Sequence, residues 1–237
     1  MLQRFADRFD IDYALLSDAD SAVIDRFGIR NTHIPADHAW FGIPFPGMYM
    51  VDDTGHVFDK HFVADHAVRE SVNSALQERF AVDLDPDGQT VGQTIIQTTA
   101  NAEGLTVRAW SSAPAIRRAQ MTVITVEIRL AEGLHLYGQP LPESYIPVEL
   151  DIDAGDGLLV QQIVYPEAQT HRFEAIDETL PAYSGTFRIK AHCLGQAREG
   201  RVDIHASLKY QACDEAVCYL PEHLTFDMSL DVLGSRF

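Results

Sequence analysis

Cys213 and Cys218 lie in the segment YQACDEAVCYLPE, residues 210–222, and two thiols this close in sequence can form and break a disulfide. In the run leading into them, Ile204, Ala206, Leu208, Tyr210 and Ala212 alternate with Asp203, His205, Ser207, Lys209 and Gln211. That is a strand with one apolar face, and its period of two predicts Cys213 on the polar, outward face. A four-residue loop, Asp214 to Val217, would set the two cysteines opposite each other at a Cα separation of about 4.5–5.5 Å, which suits a disulfide. Two readings follow. The bond is a hairpin staple, stabilising by about 2 kcal/mol because the closed loop is short. Alternatively, it takes part in dithiol–disulfide exchange, one thiolate attacking a partner disulfide and the other cysteine resolving the mixed disulfide. Asp214 and Glu215 between the cysteines disfavour the thiolate, so activation would come from a docked partner.

Other residue types capable of chemistry lack the company they need. Cys193 ends the run GTFRIKAHC with no neighbouring cysteine and is expected to be a buried or partly buried free thiol. His33, His38, His56, His61 and His66 do not stack on a helical face and have no Cys-x-x-Cys or His-Glu-x-x-His beside them, so no metal site is predicted. Ser111 and Ser112 lack a Gly-x-Ser-x-Gly setting, and no glycine-rich loop is built to cradle phosphate. No cofactor is called for. The formal net charge is −17, with −9 on residues 1–87 and −8 on residues 88–237. This acidic coat repels phosphate backbones and anionic lipid, which excludes nucleic acid as a partner class. No stretch is apolar for long enough to span a membrane, and the opening MLQRFADRFD is amphipathic instead of an export signal. As written, the chain reads as soluble and cytoplasmic.

The elements that must position the cysteines change character near residue 85. Before it, Leu2, Phe5, Ala6 and Phe9 recur at helical spacing, YALLSD at 13–18 reads as a strand, and SAVIDRFG as a short helix capped by Asp18 or Asp20 and stopped by Gly28. MYMV and HVFDKHF flank Asp-Asp-Thr-Gly, a hairpin signature, and Val68, Val72, Leu76 and Phe80 make a stripe on a closing helix. Residues 1–84 are thus α/β, and 85–103, with Pro86 and Gly88, are a linker or lead-in strand. Over 104–237 come seven β-rich runs: LTVRAW, MTVITVEIRL, YIPVELDI, GLLVQQIVY, GTFRIKAHC, VDIHASLKYQA and HLTFDMSLDVL. In the second, Ile124, Val126, Ile128 and Leu130 alternate with Thr125, Glu127 and Arg129, the pattern of a half-buried strand. Seven such runs predict an antiparallel, all-β sandwich.

The stretches RLAEGLHLYGQPLPESYIPVELDI, YPEAQTHRF, ETLPAYSGTFRI and YQACDEAVCYLPE resemble the amino-terminal domain of the thiol:disulfide interchange protein DsbD. The resemblance implies an immunoglobulin-like sandwich over 104–237 that relays electrons to a protein thiol or disulfide partner, in the periplasm. It implies Cys218 as the attacking thiol, Cys213 as the resolving thiol, and His135 and Tyr137 as supporting residues near them. LLSDADSAVIDRFGI and GIPFPGMYMVDDTGHVFDKHF are similar to the carboxy-terminal part of AhpC/TSA redoxins, which implies a truncated thioredoxin-like segment over 1–84 with a cis peptide before Pro46. Residues 1–87 contain no cysteine, so peroxidase chemistry is not expected of this chain. A thioredoxin-like sheet missing its upstream strands would leave the hairpin edge at 48–62 open, so that the first half is either marginally stable or completed by a second copy of the chain. The reading reached is a thiol–disulfide oxidoreductase working through Cys213 and Cys218. The alternative is a noncatalytic sandwich that binds a protein and keeps the pair as a structural disulfide.

Overall fold

The computed structural model describes residues 2–80, 82, 97–173 and 177–234, which fall into two units, Met1–Val68 and Arg69–Phe237. In the first, helix α1, Leu2–Phe9, brings the rings of Phe5 and Phe9 to 4.7 Å. Residues 13–18 form no strand. Tyr13 and Leu16 are exposed, leaving that segment no face to bury. Helix α2, Ala22–Arg26, begins where the Asp18 carboxylate accepts the N–H groups of Val23 and Ile24, and is followed by Gly28 at φ +66°. Strands β1, Gly47–Val51, and β2, Val57–Phe62, pair across Asp-Asp-Thr-Gly as expected. Asp52 Oδ1 accepts the N–H groups of Thr54 and His56, and Gly55 supplies φ +86°. β1 and β2 make a two-stranded sheet by themselves, so the described residues of this unit form no thioredoxin-like sheet. The Phe45–Pro46 peptide is trans, against expectation; the cis peptide of the described residues is Gln139–Pro140.

The second unit starts earlier than the sequence pattern placed it. Strand β3, Arg69–Glu70, and helix α3, Val72–Arg79, belong to it. Ser71 caps α3 by accepting the N–H of Ser74. The expected stripe does not bury: Val72 is 68% exposed, and the covered side carries Ser74, Ala75 and Gln77. The reason is a polar floor. Gln77 Nε2 donates to Thr125 Oγ1 at 3.0 Å, Asn73 Nδ2 to the Ser112 carbonyl at 2.8 Å, and Lys190 Nζ to Glu78 at 2.8 Å.

Strands β4 Gln97–Ala102, β5 Leu105–Ser111, β6 Ala115–Arg117, β7 Gln120–Leu130, β8 His135–Tyr137, β9 Glu149–Asp153 and β10 Leu158–Val164 follow. After them come β11 Gln169–Phe173, β12 Glu178–Ser184, β13 Thr186–Gly195, β14 Gly200–Tyr210, β15 Ala212–Cys213 and β16 Glu222–Leu233. All seven expected runs hold a strand. β4 lies inside the stretch read as a linker, while residues 85–96 of that stretch lie outside the described residues. One sheet orders β10-β13-β7-β5-β4 with β3 parallel on β7, a second orders β6-β16-β14-β9, and a small third orders β11-β12-β8-β15. The main core fills the sandwich with side chains such as Ile124, Val126, Ile128, Ile189, Ile204, Leu208 and Leu230, all nearly solvent-free. β7 is not half-buried as its alternation implies, because its polar face is covered too. Thr125 lies under Gln77, and the buried Glu127 carboxylate takes Arg188 Nε at 2.9 Å with Arg108 at 3.7 Å. A buried carboxylate needs this pairing.

Candidate functional site

The β14 alternation runs cleanly to Tyr210, whose hydroxyl donates to Glu222 at 2.7 Å, and then the chain leaves that sheet. β15 pairs instead with β8, placing Ala212 opposite Leu136 and Cys213 opposite His135. This change of sheet breaks the period of two. Cys213, expected on the outward face, is fully buried with Tyr137, Phe173, Leu180 and Ala182. Cys218 is exposed. The two are joined by a disulfide with Cα atoms 4.0 Å apart, in an isolated antiparallel bridge.

The turn between them is organised by Asp214. Its Oδ1 accepts the N–H groups of Ala216 and Val217 at 2.8 and 2.7 Å, its Oδ2 accepts the Tyr219 hydroxyl at 2.7 Å, and its own N–H donates to the Val217 carbonyl. The Tyr219 hydroxyl, more than the backbone N–H groups, holds the Asp214 carboxyl below the usual carboxylate range. Tyr219 N–H donates to the Ala212 carbonyl, closing the turn onto β15. Around Cys218 the side chains of Val217, Tyr219 and Leu220 are exposed, Leu220 at 84%. Cys218 is thus flanked in the chain by exposed, largely apolar side chains.

Beneath it lie aromatic rings from two short strands, β8 and β11, and a loop. Tyr137 Oη is 3.5 Å from Cys218 Sγ, within hydrogen-bonding range for sulfur. Burial, then the neighbouring Tyr145 and Glu178, raises the Tyr137 phenol above its ordinary value, so it stays protonated. Tyr145 and Phe173 are 5.2 and 5.5 Å from the Tyr137 ring. His135 is 5% exposed, 4.5 Å from Phe173 and stacked on His171 at 5.8 Å. Burial, with His171 next, pulls the His135 pKa below the usual histidine value, while Glu215 and Asp214 oppose that shift.

Of the residues singled out from sequence, Cys213, Cys218, Tyr137 and His135 come together here. Pro46 belongs to the unit Met1–Val68, whereas every residue of this site belongs to Arg69–Phe237. Cys193 is a buried free thiol in the main core, its pKa pushed up to about 12 by burial. Tyr145, His171, Phe173 and Tyr219 were not singled out. Tyr219 directly follows Cys218, while Tyr145, His171 and Phe173 lie in the distant stretches PESYIP and QTHRF, with no spacing that ties them to the cysteines. No group of three or more His, Cys, Asp or Glu side chains among the described residues is placed to hold a metal ion. No helix among them is long and apolar enough to cross a membrane.

No curated protein matches the chain. Among solved structures, the reduced DsbD N-terminal domain of Neisseria meningitidis is 18% identical, with a TM-score of 0.34 over 58% of this chain and 88% of that one. The N-terminal periplasmic domain of ScsB from Proteus mirabilis is 15% identical, with a TM-score of 0.42 over 59% of this chain and 52% of that one. The complex between the DsbD N-terminal and PilB N-terminal domains from Neisseria meningitidis gives 17%, a TM-score of 0.33, and coverage of 60% and 87%. Residues 106–230, more than half of the sequence and including both cysteines of the site, match the family described as thiol:disulfide interchange protein DsbD, N-terminal, and the chain belongs to that family.

Proposed function

We propose that the chain is a thiol–disulfide oxidoreductase module that exchanges electrons with a protein dithiol or disulfide through Cys213 and Cys218. The observation that carries this reading is the asymmetry of the pair: Cys218 exposed and flanked in the chain by largely apolar side chains, Cys213 wholly buried. Exchange proceeds by in-line attack of a thiolate on an accessible sulfur. In the oxidised chain a partner thiolate attacks Cys218 Sγ. The bond from Cys218 to the partner forms, the Cys213–Cys218 bond breaks, and Cys213 leaves with the electron pair. In the reverse direction Cys218 attacks a partner disulfide and Cys213 resolves the product. Tyr137 Oη, protonated and 3.5 Å from Cys218 Sγ, donates to that sulfur when it carries charge. Val217, Tyr219 and Leu220 supply the contact surface.

Family membership supports the same reading and extends it to a periplasmic setting, where a persistent disulfide is at home. Peroxide reduction has no support, since residues 1–87 hold no cysteine. A pure staple leaves the exposed, apolar setting of Cys218 without a purpose.

The experiment is trapping with a small disulfide-linked peptide. Cys213→Ser should accumulate a mixed disulfide on Cys218, and Cys218→Ser should form none. Trapping by the opposite variant would reverse the roles, and trapping by neither would leave the staple.

A further inference from the structure

We propose that His135 is the proton acceptor for Cys213: it takes the thiol proton when Cys213 resolves a mixed disulfide on Cys218 and returns it when Cys213 is the leaving group. This rests on the exchange chemistry proposed above. Its starting point is the register of β8 and β15, in which His135 stands directly opposite Cys213. Side chains so paired project to the same face with Cβ atoms about 4.5–5.5 Å apart. Cys213 has no exposed surface, so bulk water has no direct route to its proton. The Nε2 atom of His135 is itself buried and has no hydrogen-bond partner. Buried polar atoms are nearly always satisfied, and one left open on the residue paired with a buried redox cysteine calls for a reason.

Competing acceptors around Cys213 are occupied or aimed elsewhere. The Asp214 carboxylate is taken up by two backbone N–H groups and the Tyr219 hydroxyl. Tyr137 Oη faces Cys218. The groups that face His135 come from several elements: His171 of β11 stacked on its ring, Asp214 and Glu215 of the turn, Ser184 of β12 paired with it, and Tyr137 on its own strand. Glu132, ahead of β8, lines the same hollow with His171, Ser184 and Glu215. Burial favours the neutral imidazole, which is the form a base requires, and does so despite the two acidic residues of the turn.

The step balances within the chain. The Cys213 thiol gives its proton to the imidazole, and the thiolate attacks Cys218 Sγ. The Cys213–Cys218 bond forms, the bond from Cys218 to the partner sulfur breaks, and the partner departs as a thiolate with the electron pair. The imidazolium then passes its proton to water past His171 and Glu215, whose side chains are exposed. In the reverse reaction the imidazolium protonates the departing Cys213 thiolate.

The test treats the reduced full chain with dithiobis(nitrobenzoate) and follows nitrothiobenzoate release across pH. The first equivalent reports attack by Cys218 and the second reports resolution by Cys213; Cys193, buried and with its pKa near 12, stays silent. In the unaltered chain the second phase should rise with pH and level off below about pH 6.5, where a depressed imidazole is already deprotonated. His135→Phe should slow the second phase about a hundredfold at pH 7 and leave the first unchanged. His135→Gln, polar but unable to titrate there, should shift the second phase to the pH dependence of a thiol. An unaltered chain whose second phase climbs without a plateau through pH 9 would overturn the proposal, and so would His135→Gln with an unchanged profile. Absence of any second equivalent from the unaltered chain would instead overturn the exchange reading beneath it.

Discussion

Tyr137 touches the sulfur of Cys218 and Asp214 holds the turn between the cysteines, and each makes a separate prediction. Tyr137→Phe removes the donor 3.5 Å from Cys218 Sγ. A charge-assisted hydrogen bond of about 1.5 kcal/mol is about one pKa unit, so the Cys218 thiol should ionise about one unit higher and alkylate about tenfold more slowly at neutral pH. An iodoacetamide rate profile reads this directly. Asp214 has its folded pKa depressed, chiefly by the Tyr219 hydroxyl. The turn is therefore supported above the ordinary carboxylate pKa near 3.9 and loses that support as pH falls through the lower folded value. Reduction of the disulfide by a phosphine, active in acid, should accelerate over that window, and Asp214→Asn should remove the pH step. At this scale the sequence singled out four residues that the fold brings together, Cys213, Cys218, Tyr137 and His135, but set Cys213 on the wrong face. Counting alternation from Ile204 to Cys213 assumes one strand in one sheet, and the chain changes sheets after Tyr210. Phe173 and His171 escaped notice because contacts across β11, β12, β8 and β15 depend on registers that no single strand's pattern contains, and Tyr145 because it sits in a loop with no period at all.

Among the elements, helix α3 decides how β7 is buried. The alternation along β7 correctly marks a strand and its core face, but Thr125 and Glu127 are covered as well. The sequence could not disclose this, because Thr125 is covered by a polar side of α3 and Glu127 by Arg188 and Arg108, and a hydrophobic stripe was the signal sought. Gln77→Ala would leave the buried Thr125 hydroxyl without the amide that reaches it at 3.0 Å. The expected loss is about 1–3 kcal/mol, measured as a lower urea midpoint with an unchanged slope. A result within about 0.5 kcal/mol of the parent would show that the Gln77–Thr125 bond adds nothing to the docking of α3.

For the whole molecule, the division at Val68 and Arg69 has a consequence for truncation. A chain beginning at Arg69 keeps β3 and α3, and should unfold cooperatively with its cysteine reactivity intact. One beginning at residue 104, where the sequence pattern starts the sandwich, strips β3 and β4 from the sheet that holds β7 and removes α3 as well. It should melt at a lower temperature or fail to fold, as circular dichroism would record. The composition shift was legible because helical periodicity stops there. The structural boundary was not, because a helix that docks through hydrogen bonds leaves no apolar signature.

The central claim, that Cys213–Cys218 is a redox pair and not a staple, is tested most directly by its reduction potential. The full chain would be equilibrated in glutathione buffers of graded poise and its thiols counted by alkylation and mass. A relay pair should be half reduced at a potential above about −300 mV, within reach of cellular thiols. A pair that stays oxidised throughout and titrates below that value would contradict the account.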